Sequence, residues 1–150
     1  MTNPAIDIPN LLYRYADAID SADFHRAARM FRHGCLVTSG GELRGEDAIV
    51  AMWKSWVHIY ADGTPRTRHI ITNPVIELSA DGQSATCRSQ WTIIQATDDL
   101  PLQVIAAGHY ADKLAIIDGE WHYTERQYLA PELTGDMSGH LLRTIARREA

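Results

Sequence analysis

Two short segments hold the side chains best able to move a proton, Tyr15-Ala-Asp-Ala-Ile-Asp20 and Arg68-His69-Ile-Ile-Thr-Asn73-Pro74. They supply a phenol, a carboxylate and an imidazole. A carboxylate that accepts from one imidazole nitrogen fixes the tautomer and leaves the other nitrogen free as a base. A phenol can stabilise charge developing on a substrate oxygen. The ordinary histidine pKa of about 6.5 suits proton abstraction near neutrality. A carbon acid beside a carbonyl is the natural substrate, because its deprotonation gives an enolate that Tyr15 or Asn73 would stabilise by hydrogen bonding. Elimination and double-bond isomerisation both begin this way. Each residue also has a plainer role available: Asp20 as a helix cap, His69 as a strand histidine satisfied by a carbonyl, Tyr15 as a packed core tyrosine.

The elements that would position these groups can be read from periodicity. Leu11, Leu12, Tyr15, Ala16, Ala18 and Ile19 form a helical stripe after Pro9-Asn10, so a first helix is expected over residues 10–19, ending near Asp20. Ser21-Ala-Asp23 caps a second helix with Phe24, Ala27, Ala28 and Phe31 facing inward. Gly40-Gly41 turns a short hairpin. Gly45-Glu-Asp then opens a third helix whose apolar face, Ile49, Met52, Trp53, Trp56, Ile59 and Tyr60, runs on to Asp62-Gly63.

From Thr67 the period changes to two, with strands expected over 67–78, 84–97, 102–116 and 121–129 and tight turns at Asp81-Gly82 and Asp118-Gly119. Strands of that length at ~3.3 Å per residue span roughly 43 Å, more than a domain with a radius of gyration of about 15 Å admits unless the sheet bends. Pro74, which cannot donate to a ladder, marks a bulge or bend. The fold class is α+β: helices closing the concave side of a strongly curved, mostly antiparallel sheet around a conical interior. Residues 1–132 form the domain. Residues 133–150 pass Gly135, Ser138 and Gly139 before a short helix and read as a mobile arm or an oligomer contact.

Strand alternation places His69, Ile71 and Asn73 on one face and Arg68, Ile70 and Thr72 on the other. On the next strand Ala85, Cys87, Ser89, Trp91 and Ile93 are the inward set. Met52, Trp53, Trp56, Trp91 and Tyr110 are candidates to line an apolar pocket sized for a ring system, or to fill an ordinary core. Arg126 and His109 are further polar candidates.

Composition limits the alternatives. The chain has 150 residues, 45% apolar and 22% charged, the profile of one globular domain. A formal charge of −5 and the lack of a basic stripe argue against a nucleic-acid partner, the cluster Arg143, Arg147 and Arg148 reading as a solvated face. The start lacks signal-peptide character and no apolar run approaches a membrane span, so a cytoplasmic location and no membrane partner are expected. Cys35 and Cys87 read as buried thiols. The seven histidines show no metal-binding spacing, and neither a dinucleotide fingerprint nor a P-loop is present, so no cofactor and no metal are expected.

An early helix ending in Asp20, then Gly45-Glu-Asp-Ala-Ile49, Arg68-His69-Ile-Ile-Thr-Asn73, Gly108-His-Tyr110-Ala-Asp112 and Asp118-Gly-Glu-Trp121 occur in that order. The order resembles the SnoaL-like branch of the nuclear transport factor 2-like superfamily, over about residues 10–130. The resemblance implies a cone-shaped α+β barrel, usually a homodimer or homotrimer. Enzymatic members include scytalone dehydratase, a bile-acid dehydratase, hexachlorocyclohexane dehydrochlorinase and polyketide cyclases. Several pair an aspartate at the end of the first helix with a histidine on the first long strand, places matched by Asp20 and His69. Tyr15 matches the third member of the bile-acid dehydratase site. The second histidine of scytalone dehydratase falls near Ile94, and the dehydrochlorinase's basic partner has no equivalent.

The resemblance thus implies a cofactor-independent lyase or isomerase acting on a small hydrophobic, cyclic carbonyl compound, with His69 as base, Asp20 orienting it and Tyr15 as acid or oxyanion donor. The same cone also serves non-catalytic binding or assembly proteins and small subunits of ring-hydroxylating oxygenases. A non-catalytic reading expects Asp20 and His69 out of hydrogen-bond reach, or a cone plugged by Trp53, Trp56 and Trp91.

Overall fold

The computed structural model describes residues 2–143. Helix α1 (Pro4–Asp20) begins earlier than the apolar stripe suggests, because the Asn3 side chain accepts from the Ala5 amide and Pro4 occupies the first turn. Its buried face is Ile8, Leu12, Tyr15, Ala16 and Ile19. Helix α2 (Phe24–Arg29) is capped by Asp23, which accepts from the Arg26 amide. The hairpin β1 (Cys35–Thr38) and β2 (Gly41–Leu43) precedes α3 (Glu46–Trp56). Helix α3 stops four residues before Tyr60, since Val57 leaves the helix to form a bridge with Leu141.

The long strands follow the expected ranges closely: β3 (Thr67–Leu78), β4 (Ser84–Gln95), β5 (Gln103–Ile117) and β6 (Glu120–Gln127), with a short β7 (Leu133–Thr134) against β5. Asp118 and Gly119 both have positive φ, 53° and 82°, the conformation of a two-residue hairpin turn. The sheet order is β2-β1-β6-β5-β4-β3, antiparallel except where β1 runs parallel to β6. The fold is therefore the α+β cone that the sequence implies.

Register shifts at Thr72/Val75, Ile93/Ile94 and Lys113/Leu114 supply the curvature. At one inner position that curvature brings backbone and ring together. A Cβ on Gly108 would lie 2.7 Å from the Trp91 ring, so only glycine lets the indole lie flat on β5. The inward set of β4, Ala85, Cys87, Ser89, Trp91 and Ile93, is buried as alternation requires, joined by Gln95. Both thiols are free and buried.

The segment after β6 does not behave as a detached arm. Glu132 donates to Ala107 and Gly135 to Ile105, carrying the chain back along β5. It then crosses to the segment after α3 and the end of β4, where Gly139 accepts from the Tyr60 hydroxyl (2.6 Å) and from Gln95 Nε2 (3.1 Å). His140 accepts from the His58 amide, and the Leu142 amide donates to Trp56, both at 2.8 Å. The terminal helix expected beyond Gly139, with Arg147 and Arg148, lies outside the described residues apart from its first positions, which form a bridge and a bend. No described helix is long and apolar enough to cross a membrane.

Candidate active site

Asp20 is the last residue of α1 and points from the helix end onto the start of β3, where three donors converge on it. Oδ1 accepts from the Thr67 hydroxyl at 2.8 Å and from His69 Nδ1 at 2.6 Å, and Oδ2 accepts from the His69 amide at 2.7 Å. The side chains of Asp20 and His69 are 9% and 5% exposed, so the pair is shielded from water. Burial pushes the carboxyl pKa up, but the hydrogen bonds and charge of His69, with the Thr67 bond, outweigh it and hold Asp20 below the usual carboxylate range. An ionised carboxylate can only accept, so Nδ1 carries a proton, and in the neutral form of the ring it is Nε2 that keeps the lone pair. The out-of-reach geometry expected of a non-catalytic protein is not what these residues adopt.

Tyr15 is buried but makes no hydrogen bond to this dyad. Five residues of α-helix turn the side chain roughly 140° and move it about 7.5 Å along the axis. Its hydroxyl lies 3.4 Å from that of Tyr128, and its ring covers the Arg126 guanidinium at 4.3 Å. Desolvation raises the phenol well above its ordinary pKa, so it stays protonated. Tyr15, Asp20 and His69 are therefore a dyad and a separate tyrosine, not one hydrogen-bonded triad.

Arg126 is fully buried, making bidentate bonds to Asp112 at 2.7 and 2.8 Å and lying 3.9 Å from the Tyr110 ring centroid and 4.8 Å from that of Tyr123. Trp53, Trp91 and Tyr110 are buried in the interior with them. Met52 packs at the edge of the core, and Trp56 is half-buried beneath Arg143. Asn73 is a correction. The bulge gives it a φ of 52° and breaks the alternation, so its amide donates to Gln90 on the outer face and not into the cone. His109 is likewise outside, paired with Glu132 at 2.7 Å. Arg68 is exposed, as its parity requires. Among the described residues no three His, Cys, Asp or Glu side chains converge as a metal site.

One group at the site had no signal in the sequence: His140. It is 5% exposed, its Nδ1 is buried with no hydrogen-bond partner among the described residues, and the charges of His69 and Asp20 both act on it. The connection is also structural. Gln95 pairs with Thr67, the Asp20 donor, and the same Gln95 side chain holds Gly139. Opposite His69 on β4 stands Ile93, so the neighbouring strand brings no imidazole to the dyad.

Burial pushes His140 down to about 4, the His69 charge adding to the effect and the Asp20 charge opposing it. The folded state therefore keeps His140 neutral while the unfolded chain titrates near 6.5. Stability from this residue is complete above about pH 6.5 and is lost as pH falls from there to about 4, up to roughly 3 kcal/mol. The His58 and Leu142 amides, which hold the terminal segment, should lose hydrogen-exchange protection between about pH 7 and about pH 4.5 after correction for intrinsic rates. Constant protection would mean that His140 charges without leaving its place.

The fold and this site define a cone-shaped α+β protein with a carboxylate–imidazole pair buried inside. A SnoaL-like domain model matches residues 6–127, and the chain belongs to the SnoaL-like family. Solved structures with the same fold include a protein of unknown function from Mycobacterium tuberculosis, 26% identical over 85% of this chain and 71% of that one, TM-score 0.67. A scytalone dehydratase candidate from Novosphingobium aromaticivorans is 21% identical over 87% and 85%, TM-score 0.65. The ActVI-ORFA protein from Streptomyces coelicolor is 16% identical over 88% and 97%, TM-score 0.68. No curated protein matches the chain.

Proposed function

We propose that this chain is a cofactor-independent lyase or isomerase that removes a proton from a carbon beside a carbonyl in a small hydrophobic, cyclic compound. The observation that carries the reading is the threefold acceptor role of Asp20, which fixes the His69 tautomer and leaves Nε2 as the base. After proton abstraction the imidazolium remains paired with Asp20, and its proton is available to the leaving group in an elimination or to another carbon in an isomerisation. Trp53, Trp91 and Tyr110 pack in the buried core, as a non-catalytic protein of this fold would also have them, so the reading rests on the dyad and not on an apolar pocket. Tyr15 and Arg126, both buried, and the half-buried Tyr128 form a separate polar group that the proton step does not require.

Solvent-deuterium exchange into cyclic ketones, followed by mass spectrometry, tests the reading without knowledge of the natural substrate. The wild-type protein should accelerate exchange at the carbon next to the carbonyl, and His69→Gln should reduce that rate by about two to four orders of magnitude. Exchange that is absent in the wild type across a panel of such ketones, or unchanged in His69→Gln, would overturn it.

A further inference from the structure

We propose that His140 is a second catalytic imidazole, a neutral hydrogen-bond donor to the substrate oxygen on which charge develops when His69 removes the proton. The proposal deepens the reading of His69 as base and rests on it. Three observations support it. His140 is buried, yet its Nδ1 has no partner among the described residues, a vacancy that a substrate polar group would satisfy. Its backbone is not free to drift, because His58, Tyr60 and Gln95 fix the carbonyls of residues 139 and 140. It also lies within the electrostatic reach of both members of the dyad.

The two imidazoles differ in a way that separates their tasks. Asp20 stabilises a positive charge on His69 and so supports the base. His140 lacks such a partner and lies within electrostatic reach of His69, whose positive charge opposes a second one, so it remains a neutral donor through the step. The proton moves from carbon to His69 Nε2. The electron pair left behind becomes the enolate, with its negative charge on oxygen, and the His140 N–H lies against that oxygen without being transferred.

Para-nitrophenol, whose phenolate oxygen copies the enolate and whose colour reports ionisation, is the probe. It is titrated at mildly acidic pH into wild type, His140→Phe, His140→Gln and His69→Gln. The wild-type protein should bind it as phenolate. His140→Phe should lower the bound phenolate-to-phenol ratio by about a hundredfold, and His140→Gln, which keeps a donor, should recover part of it. In nitrogen NMR, His140 of the wild-type protein should stay neutral and gain a downfield N–H proton when the phenol binds. Equal ionisation in His140→Phe and wild type, or no response of the His140 ring, would overturn the proposal. If ionisation is lost in His69→Gln but retained in His140→Phe, the base reading stands alone. If the wild-type protein fails to ionise the phenol, both fall.

Discussion

Replacing Asp20 by Asn is expected to lower proton-transfer turnover by about three to four orders of magnitude with the fold retained. The argument follows from which donors can change role. The His69 amide can only donate, so the Asn oxygen must occupy the Oδ2 position that now accepts from it at 2.7 Å. The amide NH2 then faces Thr67 Oγ1 and His69 Nδ1, both of which can switch to accepting. Accepting at Nδ1 moves the ring proton to Nε2, and the nitrogen that should take the substrate proton already carries one. Deuterium-exchange rates together with the imidazole nitrogen shifts of His69 would check both halves of the claim. A variant within about tenfold of wild type, with the tautomer unchanged, would remove Asp20 from the mechanism.

The second large effect is on stability. Asp112→Leu should cost about 3–5 kcal/mol, because it leaves a guanidinium with no exposed surface and no carboxylate. The double variant Asp112→Leu with Arg126→Met should regain most of that loss, since two apolar groups need no partner. Urea unfolding of the single and double variants measures the difference. The tyrosine faces compete with this expectation: Arg126 lies 4.3 Å from Tyr15, 3.9 Å from Tyr110 and 4.8 Å from Tyr123. A cost below about 1 kcal/mol for Asp112→Leu would mean that the aromatic cage alone holds the cation.

Local chemistry made much of this legible in the sequence. The Asp-Gly turns set the β3–β4 and β5–β6 junctions, and alternation on β4 predicted its buried face residue by residue. Asp20 and His69 lie at a helix end and a strand start, so neither needed tertiary information to be found. The misses have tertiary or conformational causes. Pro74 announced the bulge, but alternation continued through it wrongly placed Asn73, which a left-handed φ turns outward. Helical periodicity continued through Tyr60, whereas Val57 is taken by Leu141, a residue distant in sequence. His140 stands among Gly, Ser and Asp, in a stretch with no period. Its buried position comes only from docking of Gly139 onto Tyr60 and Gln95.

The bulge at Asn73 and Pro74 also bears on whether another strand can add to the edge of the sheet. Strand β3 is the last in the sheet order, so its outer rim of backbone donors and acceptors has no neighbouring strand among the described residues. Such a rim is a template for another chain, and Ile70 and Val75 would make it adhesive, at 45% and 60% exposed. Pro74 removes a donor midway, the register shift throws the two halves out of line, and Arg68 and Glu77 place charge toward either end. The strand that presents the proposed base is thus protected against fibrillar addition along its length by the same irregularity that bends it around the site.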